Sequence, residues 1–245
     1  MNYTIIIPAR MESTRLSEKA IADINGHPMI VHTAKRAAMS KAKRVAVATD
    51  SSKIADVCRD YDIEIIMTGE YHKNGSERVY EAGQKLGLEG NEIVINVQGD
   101  EPLINPNDID TVAKFLEKEK HEICIPHNLM LKLDVSPNKT KMVVAADNKT
   151  VMYMSRHIIP YGENDVKKCL GLMGFRFRAL EKFYQAPQGF CEIRENIEML
   201  RAIEHQIKVG TIYLDGNCAS VDIETDLLLA RKMEPQAVPW QRDLK

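Results

Sequence analysis

Four side chains between positions 10 and 19 could grip a polyphosphate: Arg10, Ser13, Arg15 and Lys19, on the loop that follows the apolar run Ile5-Ile6-Ile7-Pro8-Ala9. Arginine offers a planar fork matched to phosphate oxygens, and lysine offers a point charge. The loop has no glycine. It is therefore neither the Gly-rich dinucleotide fingerprint nor the GxxxxGK[ST] loop, in which backbone amides do most of the holding. Here side chains must supply the charge. A solvated basic loop would carry the same residues.

Two further stretches offer carboxylates. Val97-Gln98-Gly99-Asp100-Glu101-Pro102 places an amide, a tight turn and a carboxylate after an apolar strand. A carboxylate is the hard oxygen ligand that Mg²⁺ prefers, the other positions going to water and substrate phosphate; a plain Gly-Asp turn is the alternative. In Ser220-Val221-Asp222-Ile223-Glu224-Thr225, Asp222 follows a short apolar strand and precedes a helix. It reads as a second Mg²⁺ ligand or as a helix cap. Asn74-Gly75-Ser76-Glu77-Arg78 offers a helix N-terminus, a hydroxyl and an arginine to an anion or base edge, or simply a capped helix start. The seven histidines show no metal-ligand spacing. Cys169 reads as a buried thiol rather than a reactive one.

The elements that must position these residues alternate through the first half. Strands are expected at 5–7, 44–50, 63–67 and 93–97, with helices at 28–39, 51–57, 76–86 and 106–119 between and after them. Such alternation implies parallel strands with right-handed crossovers, and ligands at the carboxyl ends of the strands, where Arg10, Asp50 and Asp100 fall. From Ile123 the pattern changes. A hairpin is expected over 141–146 and 151–156, a strand at 171–177, one helix over 192–205, an edge strand at 207–214 and a closing helix at 226–233. The expectation is one α/β domain over 1–245 with an insertion near 125–190. It divides into a first half over 1–122, a second half over 123–233 and a tail over 234–245.

Bulk properties exclude several classes. With 44% hydrophobic and 28% charged residues the chain can bury a large core. A formal net charge of −2 gives no general reason to bind nucleic acid or an anionic membrane. No run approaches the ~18 apolar residues of a membrane span. The five cysteines, Cys58, Cys124, Cys169, Cys191 and Cys218, are scattered without a CxxC pair, which points to a reducing, cytoplasmic setting.

Taken together the motifs resemble those of the 3-deoxy-manno-octulosonate (Kdo) cytidylyltransferases, along nearly the whole chain. The resemblance rests on IIPAR with STRL at Ser13 to Leu16, Lys19, INGHPMI at Ile24 to Ile30, VATD at Val47 to Asp50 and NGSER at Asn74 to Arg78. It continues through NVQGDEP at Asn96 to Pro102, Ser155-Arg156 and SVDIETDL at Ser220 to Leu227. It implies a Rossmann-like nucleotidyltransferase fold with a mostly parallel sheet and a mixed β insertion in the second half. It also implies transfer of CMP from CTP to Kdo or a related 3-deoxy or amino-octulosonate for lipopolysaccharide, release of pyrophosphate, Mg²⁺ as cofactor, and a homodimer. Carried over by position, Arg10, Arg15 and Lys19 would hold the triphosphate. Pro8, Ala9, Ser13, Gly75, Ser76, Arg78 and Gln98 would complete the CTP site, Asp100 and Asp222 would hold Mg²⁺, and Arg10, Lys19, Asp100 and Asp222 would carry catalysis.

The departures gather on the acceptor side, where the resemblance implies Arg156, Cys169, Met173, Glu198 and Met199. The family's His-x-Gly-x-Tyr is here Cys169-Leu170-Gly171-Leu172-Met173, and its Glu-Gln-Leu-Arg is Glu198-Met199-Leu200-Arg201. Three polar groups have become soft or apolar, which should change the acceptor that is accepted. Near the nucleotide, the usual Pro-Gly before the lysine is Ser17-Glu18, and the usual Thr-Asp before the arginine is Ser76-Glu77. Glu18 is expected to point to solvent. Two other readings keep the CTP site: a cytidylyltransferase for a phosphonate, and a nucleotide-binding regulator without turnover.

Overall fold

Branched and apolar residues dominate the central strands because both faces of the sheet are covered. In the computed structural model, which describes residues 2–13, 16–130, 136–162, 165–215 and 220–233, the isoleucine run lies in β1 (Tyr3–Ala9), every residue of which is buried. A one-turn 3-10 helix at Lys19–Ile21 and a small hairpin, β2 (Asp23–Ile24) and β3 (His27–Pro28), follow. The hairpin turns through Asn25 and Gly26, at φ 52° and 90°, the positive pair that a two-residue Asn-Gly turn provides. Then come α1 (Met29–Ala37), β4 (Arg44–Thr49), α2 (Ser52–Arg59), β5 (Glu64–Met67), α3 (Gly75–Lys85), β6 (Ile93–Val97) and α4 (Pro106–Lys118).

The second half comprises β7 (Ile123–Cys124), β8 (His127–Leu129), β9 (Lys141–Val144), β10 (Val151–Ser155), β11 (Lys167–Cys169), β12 (Leu172–Arg176), α5 (Phe177–Gln185), α6 (Phe190–Glu195), α7 (Met199–Glu204), β13 (Val209–Gly210) and α8 (Glu224–Met233). Seven strands form the main sheet in the order β13-β7-β12-β6-β1-β4-β5. β6, β1, β4 and β5 are parallel, as the alternation implies, and β12 runs antiparallel beside β6. The pleat sends Ile5, Ile7, Ile95 and Val97 to a core shared with α1, α2 and α4, and Ile6 and Val94 to one shared with α3, α5 and α7. A four-stranded antiparallel sheet, β10-β9-β11-β8, stands apart.

Four expectations are corrected. The insertion is narrower than 125–190: only β8 to β11 leave the main sheet, and β12 returns to it. The stretch 171–177 ends as a strand at Arg176, because Phe177 opens α5, whose Phe177, Leu180 and Phe183 are buried against the α3 side of the core. The expected helix 192–205 is two helices, interrupted at Asn196, which adopts the left-handed conformation at φ 52°, ψ 49°. Asparagine reaches that region more readily than most side chains, so it can end a helix whose apolar stripe continues. The expected edge strand is hydrogen-bonded as a strand only at Val209–Gly210, with a further bridge at Tyr213. Cys218 and the tail 234–245 lie outside the described residues.

The break lets α7 turn back. Arg201, 2% exposed, donates to both carboxylate oxygens of Glu192 at 2.6 and 2.8 Å and to Glu77 of α3 at 3.1 Å, with its guanidinium 4.4 Å from the Phe183 ring centroid. Removing one member of a buried ion cluster leaves the others charged and unpaired. Arg201→Ala should therefore lower the free energy of unfolding by about 3–5 kcal/mol. Arg44→Ala, which breaks a surface pair with Glu64, should cost less than about 1 kcal/mol. Urea denaturation followed by circular dichroism compares the two.

Candidate active site

The crevice opens where β1 outruns its neighbour. β1 pairs with β6 only through Ile6, while pairing with β4 continues through Ala9. Pro8, which has no amide hydrogen, therefore lies beyond the β6 ladder, where a central strand tolerates it. The chain leaves β1 toward β4 on one side and leaves β6 toward β12 and β7 on the other. Such a switch point is where open α/β sheets place ligands. Gly99 lets the next loop cross the strand end, since a methyl there would stand 2.9 Å from the Pro8 carbonyl oxygen.

A cavity of about 370 Å³ fills this crevice, lined by Pro8, Ala9, Arg10, Ser13, Lys19, Gly75, Arg78, Gln98, Asp100 and Asp222 among others. Of the CTP-site residues expected from the sequence, Ser76 lies buried behind the wall and Arg15 falls outside the described residues. At the mouth, Lys19 Nζ donates to Asp100 Oδ2 at 2.5 Å and to Asp222 Oδ1 at 3.4 Å, partners 81 and 203 residues along the chain. Leu16, Ala22 and Ile24 pack with Val221 and Leu227. This small apolar cluster brings the lysine segment to the Asp222 segment. Glu18, at φ 51°, carries its carboxylate away from the lysine to Lys53 at 2.5 Å.

Two carboxylates on one cationic point are chemically suited to a divalent ion that completes its shell with water and phosphate oxygens. Among the described residues no group of three or more His, Cys, Asp or Glu could hold a metal by itself. Behind Asp100, Glu101 is fully buried, and burial pushes its carboxyl up to about 7 despite a hydrogen bond from Ser220.

Around the cavity several side chains are already engaged. Asn74 caps α3, accepting from the Glu77 amide at 2.9 Å. Arg78 is 4% exposed and donates to Asp50 at 2.5 Å and Thr68 at 2.6 Å, so it ties the ends of β4 and β5 to α3. Gln98 lies beside Gly75, where a methyl would be 3.5 Å from its amide oxygen. Sequence reasoning gave no role to Glu12 and His72, which also line the cavity. His72 Nε2 sits 2.5 Å from Glu81, a partner nine residues away that no histidine spacing reveals.

The expected acceptor residues cluster by themselves. Met173 and Met199 are 8% and 2% exposed and share a core with Met142 and Met154, and Cys169 packs against its edge. Burial pushes the Cys169 thiol up to about 12. Arg156 fans its guanidinium over the carbonyls of Pro137 at 3.1 Å, Glu195 at 3.2 Å and Asn196 at 2.7 Å. Glu198 accepts from the Ser76 amide at 3.4 Å, which joins this cluster to the start of α3, and its enclosure pushes it up to about 7.

Comparison with known proteins gives the family. Residues 4–213 match the family described as Cytidylyltransferase. The 3-deoxy-manno-octulosonate cytidylyltransferase of a Nitratiruptor species is 38% identical over 232 residues, covering 91% of this chain and 96% of the relative. That of Bartonella tribocorum is 36% identical over 235 residues, covering 94% and 97%. Among solved structures, a CMP:2-keto-3-deoxy-manno-octonic acid synthetase complexed with CTP superposes with a TM-score of 0.86 at 30% identity, covering 95% of this chain and 98% of that one. The chain belongs to the cytidylyltransferase family, and the 3-deoxy-manno-octulosonate cytidylyltransferases are among its full-length relatives.

Proposed function

We propose that the protein transfers CMP from CTP to Kdo or a related 3-deoxy or amino-octulosonate, with Mg²⁺, releasing pyrophosphate on the route to lipopolysaccharide. The observation that carries this reading is the meeting of Asp100 and Asp222 at Lys19, in the crevice that also presents Arg10 and Gln98. Full-length similarity to enzymes named for Kdo supports the acceptor. Asp100 and Asp222 would hold Mg²⁺, which when bound draws charge from the phosphate oxygens.

The protein's own groups would do the rest. Arg10, Lys19 and Arg15 would share the charge of the triphosphate. One cation about 4 Å from a phosphate oxygen gains on the order of 4 kcal/mol at an effective dielectric near 20, before desolvation is subtracted, so several are needed. Gln98 has both a donor and an acceptor to offer the base. An acceptor hydroxyl oxygen would attack the α-phosphorus in line, and the bond to the β-phosphate oxygen would break. Positioning and charge neutralisation are the sources of rate.

On the acceptor side Arg156, Cys169, Met173, Glu198 and Met199 would give the acceptor surroundings richer in sulfur than the polar groups of the wider family. That composition supports an acceptor gripped less through hydroxyls than Kdo is in the wider family. The second half leaves Met152, Phe190 and Ile193 exposed, which supports its use as the face of a homodimer. The free thiols and the use of CTP suit the cytoplasm.

Pyrophosphate release with CTP, Mg²⁺ and a panel of acids tests the reading. Turnover is expected with Kdo or a related 3-deoxy or amino-octulosonate. Turnover with a phosphonate alone would replace the acceptor, and CTP binding without turnover on any acid would overturn the enzymatic reading. Asp100→Ala should lower Mg²⁺-dependent kcat by roughly 100-fold or more while circular dichroism and Tm stay at wild-type values. Near-normal turnover would refute the role of Asp100.

A further inference from the structure

Glu101 follows Asp100 directly, is 0% exposed, and is not among the residues that line the crevice. Its Oε1 accepts a hydrogen bond from Ser220 Oγ, 119 residues along the chain. The same oxygen lies against Gly171, where a methyl group would stand 2.1 Å from it. The backbone repeats both ties: the Val221 amide donates to the Asp100 carbonyl at 2.9 Å, and the Gln98 amide to the Gly171 carbonyl at 3.4 Å. Three segments, 98–101, the turn at Gly171 and 220–222, are thus joined around one carboxyl group.

Burying a carboxyl is costly, and an apolar side chain could fill the same space without that cost. The group is not fully compensated either, since Oε2 has no hydrogen-bond partner among the described residues. What the arrangement secures is the position of Asp222. On its far side the segment is held by Asp226, whose Oδ2 accepts from the amides of Asp222 at 2.9 Å and Ile223 at 3.1 Å. On its near side it is held by Glu101 through Ser220 and by Asp100 through Val221. Asp222 therefore hangs between two anchors, and one of them is the side chain next to the other carboxylate of the pair.

We propose that Glu101 is a positioning residue, a latch that holds Ser220 and so sets the separation at which Asp222 and Asp100 can share one divalent cation. It touches neither nucleotide nor metal and acts through Ser220. The proposal rests on the metal-dependent reading of the site given above. Gly171 belongs to the device because any larger residue would displace the carboxyl from its place.

Mn²⁺ binding to the full chain, followed by electron paramagnetic resonance with and without CTP, tests it. Ser220→Ala and Glu101→Ala should each weaken Mn²⁺ binding at saturating CTP by about tenfold or more, while KM for CTP at saturating metal moves by less than about twofold. The double variant should bind Mn²⁺ no more weakly than Glu101→Ala alone. Glu101→Gln, which keeps an acceptor for Ser220, should recover most of the loss. Unchanged Mn²⁺ affinity in Ser220→Ala and Glu101→Ala, or effects that multiply in the double variant, would overturn the latch. Should Glu101→Ala fail to fold, Ser220→Ala at its half-buried site decides the matter. A wild-type protein whose Mn²⁺ binding ignores CTP would sink the proposed function and the latch together; CTP-dependent binding that Ser220→Ala leaves intact would sink the latch alone.

Discussion

Two ionised carboxylates held close together repel, and in this fold one lysine stands between them. Asp100 comes from the end of a fully buried strand and Asp222 from the entrance to the last helix, and Lys19 bridges them from a one-turn helix near the start of the chain. A flexible chain would separate two such charges. Here the main sheet fixes one, the small core of Ile24, Met29, Val221, Leu227 and Ala230 fixes the other, and neither can relax away from its neighbour. Repulsion that is locked in by packing becomes affinity for positive charge. The arrangement suits a reaction whose difficulty is the approach of one anion to another.

The crevice and the methionine-rich core beside it differ in chemical character. Around the crevice, several polar side chains already have protein partners: Arg78 has Asp50 and Thr68, Asn74 has Glu77, and His72 has Glu81. These bonds fix the walls, and Arg10, Gln98 and Lys19 with its two aspartates line the cavity between them. Beyond the crevice, Met142, Met154, Met173 and Met199 share a core with Cys169 at its edge, groups that adapt their shape and offer weak hydrogen bonding. Under the proposed function, rigid charge at one end and adaptable packing at the other would make the protein stringent toward its donor and tolerant toward its acceptor.

Much of the sheet was legible because a strand covered on both faces is written in branched residues, as Ile5 to Ile7 and Ile93 to Val97 are, and because helices alternate with such strands at regular spacing. The cavity residues were legible because loops after those strands can only lie at one edge. The misses have specific causes. Asn196 leaves the apolar stripe of 192–205 intact while reversing the backbone, so periodicity alone runs one helix through a break. α5 begins in the residue after β12 ends, with no turn signal between them. The Asn25-Gly26 hairpin joins strands of two residues each, too short to show alternation. Arg78 and Glu101 were visible as charged residues, but their partners lie 28 and 119 residues away, and only tertiary register shows which groups they meet.

One junction ties the start of α3 to α7. Glu77 accepts from the Lys73 amide, from Asn74 and from Arg201, so the carboxylate that completes the cap of α3 is also the anchor of α7. Glu198, at the start of α7, accepts from the amide of Ser76, the residue before Glu77. The α7 segment is consequently no cassette that can be exchanged while the rest stands still. Any lineage, natural or engineered, that remodels α7 must also renegotiate the turn at the start of α3. That shared turn narrows the mutational routes by which either segment can change alone.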